Sequence, residues 1–329
     1  MSFRAYLIDE AAGRTSAAFT PFDEARLDPG EVTIQVAYSS VNYKDALAAT
    51  GTGRIIRRFP CIGGIDLSGT VIASTDPRFS PGDPVLCTSY DLGVAHHGGY
   101  AERARVPAEW VVRLPPGIDL FSAMAYGTAG FTAALGVVRM EANGLRPENG
   151  PVIVSGASGG VGSIAVAILA RLGYRVTALT GKESEAGYLG SLGAAEVMLR
   201  DQLDLSRIKP LDRALWAGAV DNLGGDVLSW MASTLQVGGT LASIGLASGH
   251  QFNTTVMPLI LRGVSLLGVD SVNCPMPVRA EVWRRLGSDM AVPDLPRLVR
   301  TITFADLPGV FDDFIQGRAR GRTVVRIGN

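Results

Sequence analysis

The chain has 329 residues, of which 47% are hydrophobic and 19% charged, with a formal net charge of -1. That length can bury a substantial core in one large domain or two, and the composition excludes a disordered chain. With 30 Lys plus Arg against 31 Asp plus Glu there is no electrostatic case for nucleic acid.

The first 120 residues read as β-rich. Residues 32–38 (VTIQVAY) alternate and carry β-branched and aromatic side chains, as a half-buried strand should. Further short strands are expected at 68–73, 84–88 and 100–106, separated by turn-rich pieces such as DPRFSPGD at 76–83. Near residue 120 the character changes. Residues 121–137 are rich in Ala and other small residues and predict a helix or helix pair. A strand–helix alternation follows, with strands at 151–156, 175–180, 196–199, within 216–224, at 239–244 and at 264–269, and helices at 160–172, 183–192 and 225–236. Alternation of this kind implies parallel βαβ units with helices on both faces of the sheet. From about 278 the chain is mixed, and TVVRI (323–327) predicts a strand that returns to the first domain.

The strongest motif is VIVSGASGGVGSIAVAILARLGYRVTALTGK (152–182). An apolar strand runs into Gly156, Gly159, Gly160 and Gly162, and these open a long apolar helix. Glycines suit that turn because a side chain would bar the backbone from a pyrophosphate, and the helix N-terminus then holds the anion. The spacing is G-x-x-G-x-x-G with an extra glycine, since Ala157 stands beside the first one. The cofactor contacts expected from this stretch are Ser158, Gly159, Gly160 and Val161. At the end of the second strand an NAD site places an acid for the ribose hydroxyls. Here stand Thr180, Gly181 and Lys182, with no acid before Glu183, which points to NADP. Arg200, just after the third strand, is a second candidate cation; the alternative for Lys182 and Arg200 is ordinary surface charge.

Cys61, Cys87 and Cys274 lie far apart in no CxxC arrangement, so neither a disulfide framework nor a thiolate zinc site is expected. The N-terminal MSFRAYLIDEAAG carries acids and no long apolar run, unlike a signal peptide. The most apolar stretches, such as 151–169, are interrupted by Gly and Ser and are read as too short to span a bilayer. A cytoplasmic protein without membrane contact is the expectation. Arg54, Arg57 and Arg58 cluster as either a solvated loop or an anion contact.

Several segments carry a resemblance. SSVNYKDAL (39–47), FPCIGGIDLSGTV (59–71), PGDPV (81–85), HGGYAE (97–102), GTAGFTAA (127–134), GASGGVG (156–162) and QGRARGRTVVRI (316–327) are similar to the quinone-oxidoreductase branch of the medium-chain dehydrogenase/reductase superfamily. NYKDAL, AGAVDNLGG (217–225) and TTVMPLILRGVSLLGVDSV (254–272) resemble its bacterial YhdH-type group, which contains NADPH-dependent acrylyl-CoA reductases. The resemblance implies an α/β fold: a doubly wound Rossmann domain (121–277) that binds NADP, inserted in a mostly β, GroES-like catalytic domain (1–120 plus 278–329). It places the cofactor in the cleft between the two. It carries cofactor contacts onto Tyr43, Leu246, Ile260, Ser271 and Arg322. Zinc enzymes of the superfamily place a Cys near the position of Tyr43 and a His-Glu pair near Ile65 and Asp66. This chain has neither, and His96, His97 and His250 supply no evident ligand set, so no metal is expected.

The implied reaction is reduction of a double bond conjugated to a carbonyl. Hydride adds to the β-carbon, charge develops on the carbonyl oxygen, and a proton goes to the α-carbon. Enoyl reductases of the superfamily carry a Tyr donor in the stretch that corresponds to TGTGRI (50–55), where this chain has none. The catalytic candidates are Asn42, Tyr43, Lys44, Asp45 and Arg322. Tyr43 is read as cofactor or substrate contact, proton donor or simple packing. Asp66 is either a buried site acid or a turn-stabilising residue. Arg322 is expected to hold a thioester carbonyl or a CoA phosphate. Acrylyl-CoA leads as substrate, with quinones or unsaturated ketones second and a non-catalytic NADP(H) sensor as the rival of another class. VSLLGV (264–269) is a candidate edge strand for a homodimer.

Overall fold

The computed structural model describes residues 1–328. The described chain divides into two compact units: residues 1–128, 272–287 and 294–328 form the first, and residues 129–271 and 288–293 the second.

The first unit opens on a hairpin, β1 (Ser2–Ala11) and β2 (Arg14–Asp23), turned by Ala12 and Gly13 at positive φ. Then come β3 (Val32–Val41), α1 (Tyr43–Thr50), β4 (Cys61–Ile62), β5 (Asp66–Ser74), β6 (Pro84–Thr88), β7 (Arg103–Val106) and β8 (Val111–Arg113). In β3 the side chains of Val32, Ile34 and Val36 are fully buried on one face while Gln35 is exposed on the other, and toward its end the strand is buried on both faces through Ser39, Ser40 and Val41. They pack with Phe3, Phe22, Leu67, Val71 and Tyr100. Helix α2 (Leu120–Ala142) breaks at Gly127, whose backbone (φ 52°, ψ −158°) is not helical.

The second unit alternates β9 (Val152–Ser155), α3 (Gly160–Arg171), β10 (Val176–Thr180), α4 (Ala186–Ser191), β11 (Glu196–Leu199), β12 (Trp216–Asp221), α5 (Gly225–Thr234), β13 (Leu235–Ser243), α6 (Met257–Arg262) and β14 (Ser265–Gly268). All the strand pairings are parallel, in the order β11-β10-β9-β12-β13-β14. This is the doubly wound arrangement, in which the strand order reverses between β9 and β12. β9 and α3 bury nearly every side chain, since a parallel sheet is covered on both faces.

The chain returns to the first unit with α7 (Met276–Leu286), β15 (Val299–Thr303), α8 (Phe311–Ile315) and β16 (Arg322–Arg326). β16 returns to the first unit as the sequence predicts, pairs antiparallel with β3 and completes a seven-stranded sheet.

The unit boundaries, at 128/129 and 271/272, differ from the expected 120/121 and 277/278. Local bonds explain both shifts. Leu120 O accepts from Ser68 Oγ at 2.6 Å and Ala125 O from Arg322 Nε at 3.1 Å, which ties the front of α2 to the first unit. Arg279 of α7, wholly buried, donates to Thr88 O of β6 (3.2 Å) and to Val272 O (3.3 Å), and Tyr90 Oη donates to Cys274 O (3.4 Å), which ties 272–277 to the first unit. One sequence expectation needs correcting: by length and composition α2 could cross a membrane, yet 78% of its apolar window is buried within the folded chain.

Candidate active site

At the end of β9 the chain turns at Gly156 (φ +57°), and α3 starts after Gly159. The glycines here are sterically required. A Cβ on Gly162 would stand 2.3 Å from Gly156 O and 2.7 Å from Ala157 Cα, both backbone atoms that cannot yield. The turn thus lies flat against the first turn of α3, whose N–H groups at Gly160 and Val161 have no partner within the helix. Ser158 is buried and its hydroxyl lies 3.3 Å from that of Thr180, at the end of β10. Thr180 Oγ1 also accepts from the Lys182 backbone N–H at 3.1 Å. A Cβ on Gly181 would come within 3.6 Å of the Arg200 guanidinium, which also reaches Ser248 Oγ at 3.5 Å. Ser158, Gly159, Gly160, Val161, Thr180, Gly181, Lys182 and Arg200 therefore converge on one rim of the sheet. It has the flat backbone, hydroxyls and cation that a dinucleotide phosphate needs. Leu246 (68% exposed) lies on the loop that Ser248 ties to Arg200. Ile260 lies in α6, and Ser271 just past β14, toward the other edge of the sheet.

Sequence reasoning missed a second feature of this rim. Asp221, fully buried at the end of β12, accepts from Ser155 Oγ (2.7 Å), Gly224 N (2.8 Å) and Leu223 N (3.2 Å). Burial raises its pKa, and these donors partly offset the shift. Asn222 follows, donating from its backbone to Ser155 Oγ (2.9 Å) and from Nδ2 to Ser155 O (2.7 Å). The only sequence signal was an Asp-Asn pair between an apolar strand and Gly-Gly.

In the first unit the catalytic candidates gather around Asp66, which is fully buried. Asp66 Oδ2 accepts from Ser40 Oγ (2.5 Å), Asn42 Nδ2 (2.8 Å) and Thr128 N (3.0 Å), and Oδ1 from Thr128 Oγ1 (2.5 Å). Asp66 is thus the hub of a buried network that joins β3, the start of α1 and the break in α2, and it stabilises no local turn. Asp45 is also buried, accepting from Asn42 N (2.9 Å) and Ile65 N (3.0 Å). Burial first, and then the nearby Asp66 carboxylate, pushes its pKa up to about 7. Tyr43, 53% exposed, is the first residue of α1, and Lys44 beside it is half-buried.

Arg322 corrects an expectation. It is 2% exposed, and its donors are taken by Ala125 O (3.1 Å), Val41 O (3.3 Å), Asn42 Oδ1 (3.1 Å) and Ser40 Oγ (2.8 Å). A guanidinium so engaged offers nothing to a thioester carbonyl, a CoA phosphate or a cofactor. It is the first residue of β16, a strand covered on both faces, and no local sequence feature signals that. The arginine cluster also disperses: Arg57 pairs with Asp91 and Arg58 with Asp28, and both hold loops.

Two family models match the chain, the alcohol dehydrogenase GroES-like domain over residues 28–116 and the zinc-binding dehydrogenase over 160–288. Acrylyl-CoA reductase AcuI of Ruegeria pomeroyi is 46% identical over 97% of each chain. YhfP of Bacillus subtilis, a putative quinone oxidoreductase, is 48% identical over 99% of each chain, and its structure with NAD bound superimposes with a TM-score of 0.96. The yhdH oxidoreductase of Salmonella enterica, solved with NADP, is 49% identical over 99% of this chain and 100% of its own, with a TM-score of 0.96. The chain belongs to the YhdH-type branch of the medium-chain dehydrogenase/reductases.

Zinc members of this superfamily need a set of soft or imidazole donors, and the residues present do not fit one. Tyr43 and Ile65 are not ligands, and Asp66 is saturated by its four donors. Among the described residues no group of three His, Cys, Asp or Glu side chains gathers as a metal site. His97 Nδ1 accepts from Ile62 N at 3.1 Å, and the His96 ring lies between His97 O (3.2 Å) and Pro29 O (3.1 Å). Both rings brace loops of this YhdH-type chain, the structural alternative of their two readings.

Proposed function

We propose that this chain uses NADPH to reduce the carbon–carbon double bond of an α,β-unsaturated acyl thioester, with acrylyl-CoA as its foremost substrate. The observation that carries the cofactor half is the end of β10. Thr180, Gly181 and Lys182 replace the acid of an NAD site, and the Arg200 guanidinium lies over Gly181. A 2′-phosphate gains a hydroxyl and a cation there and meets no carboxylate before Glu183. The name of the Ruegeria pomeroyi relative supports the substrate half.

When bound, NADPH supplies the hydride. The glycine turn holds the pyrophosphate, and Ser158 and Thr180 orient the adenosine end. In the first unit, Tyr43 is the proposed contact to the nicotinamide or substrate, with Lys44 beside it. Asn42 and Asp45 fix the start of α1 and so the direction of the Tyr43 ring. The proton for the α-carbon comes from Tyr43 or from solvent. Leu246, Ile260 and Ser271 are retained as cofactor contacts on the strength of the family resemblance. Arg322 is not.

The name of YhfP supports a second reading, reduction of a quinone or unsaturated ketone on the same scaffold. NADPH consumption measured with acrylyl-CoA, crotonyl-CoA and a small quinone at equal concentration separates the two. Preference for the quinone would overturn the thioester reading, and NADPH binding without oxidation by any acceptor would make the chain a sensor.

A cytoplasmic homodimer completes the proposal. β14 is an edge strand with Leu266 41% exposed, and α6 presents Leu259, Ile260 and Leu261 at 44–70% exposure. An apolar edge of this kind favours a second copy as cover. The three cysteines, all free and buried, suit a reducing compartment. Sedimentation at micromolar concentration tests the assembly; a monomer there would overturn it.

A further inference from the structure

We infer that the side-chain oxygen of Asn222 accepts a hydrogen bond from the nicotinamide-side ribose of a bound dinucleotide. The inference rests on reading the second unit as the dinucleotide site. The strand order reverses between β9 and β12, and in doubly wound sheets ligands lie beyond the carboxyl ends of the strands at such a point. Asn222 directly follows β12 there. Its Nδ2 donates to Ser155 O at 2.7 Å, which fixes the amide with its nitrogen committed. The oxygen, Oδ1, is buried and accepts no hydrogen bond. Buried acceptors without a donor are rare in folded proteins, so this one calls for a partner. The residue also adjoins the phosphate turn, since a Cβ on Gly156 would stand 3.4 Å from Asn222 Cβ.

The identity of the missing donor follows from the sheet. Thr180, Lys182 and Arg200 lie at the ends of β10 and β11, on one side of β9, and Asn222 lies on the other. A dinucleotide with its 2′-phosphate at Arg200 and its pyrophosphate on the glycine turn crosses β9 and brings its second ribose to β12. A phosphate oxygen is itself an acceptor and cannot satisfy Oδ1. A ribose hydroxyl can.

The test compares two isosteric variants, Asn222→Val and Asn222→Thr, of which only the second keeps an oxygen. Calorimetry on the full chain gives Kd for NADPH, NADH, 2′-phospho-ADP-ribose and adenosine 2′,5′-bisphosphate. Asn222→Val is expected to weaken the first three by about tenfold, the worth of roughly one hydrogen bond, and Asn222→Thr by less. The bisphosphate, which has no second ribose, is expected to bind both variants as it binds the parent. Asn222→Ala carries the same expectation if Asn222→Val does not fold. Unchanged affinity for all four ligands, or equal loss for the bisphosphate, would overturn the inference. The parent's NADPH-to-NADH ratio reports separately on the proposed cofactor preference, because the second ribose is common to both.

Discussion

Arg322 and Asp66 face each other across the hydroxyl of Ser40: Nη2 lies 4.0 Å from Oδ2, and Ser40 Oγ bonds to both, at 2.8 and 2.5 Å. Neither residue is more than 2% exposed. Removing one partner from such a pair strands the other and typically costs about 3–5 kcal/mol. Arg322→Met is therefore expected to lower unfolding free energy by about that amount. Arg322→Lys should recover only part, because the three donors of an ammonium sit on one nitrogen and cannot span the acceptors arranged around the planar guanidinium. Urea melts of both variants matching the parent would show that the pair adds nothing to stability.

The rim at Thr180–Lys182 predicts a selective binding defect. Lys182→Ala and Arg200→Ala should each weaken NADPH by about ten- to a hundredfold, the worth of a charge-assisted contact, and leave NADH nearly unchanged. Fluorescence titration with the two cofactors checks this. Equal weakening of both would mean that neither cation reads the 2′-phosphate.

Gly162→Ala puts a methyl group against backbone at 2.3 Å. Since neither the turn nor α3 can yield, overpacking should cost about 1–3 kcal/mol of stability and cofactor affinity should fall with it. Gly187→Ala, with open space around its Cβ, is the control and should do neither. A Gly162→Ala protein that binds NADPH normally would refute the close-approach argument.

Asp45 predicts a pH dependence of defined sign. Its folded pKa, pushed up to about 7 by burial and by Asp66, exceeds the ordinary value of 3.8. The folded state therefore holds a proton that the unfolded state releases, and this contribution fades as pH rises from about 4 to 7. His97 works the other way: burial lowers its pKa to about 4, so its contribution is lost as pH falls below 6.5. Relative to the parent, Asp45→Asn should gain stability steadily between pH 4 and 7. Parallel stability curves for the two proteins would exclude Asp45 as the titrating group.

Tyr43 is half exposed, at the first position of α1. If its ring shapes a cofactor or substrate contact, Tyr43→Phe should retain most of kcat. A loss on the order of 10²–10⁴ would instead identify it as the proton donor.

The legible parts of this chain were the local ones. β9, the glycine turn, α3 and β10 follow one another within 31 residues, so strand, turn and helix could be read directly from VIVSGASGGVG. The hairpin of β1 and β2 escaped notice because its turn is Ala12–Gly13 rather than an Asn-Gly pair. The Asp66 cluster escaped for a different reason. It is assembled from Ser40, Asn42, Thr128 and Arg322, and no window of sequence contains it. Arg322 was misjudged because β16 is covered on both faces, and a lone arginine beside Thr-Val-Val carries no sign of that.

The bond from Arg322 to Val41 closes a gap of 281 residues, and the whole of the second unit is encoded inside it. During synthesis the Tyr38–Val41 half of β3 must therefore wait with one edge open, and Asp66 without its guanidinium, until most of the chain has emerged. Contacts of such long sequence separation form slowly, and open edges meanwhile invite wrong partners. The second unit, built from consecutive βαβ segments, can fold in order as it appears. The ribosome thus delivers the cofactor half ready-made, and the other half is finished only when its closing strand arrives.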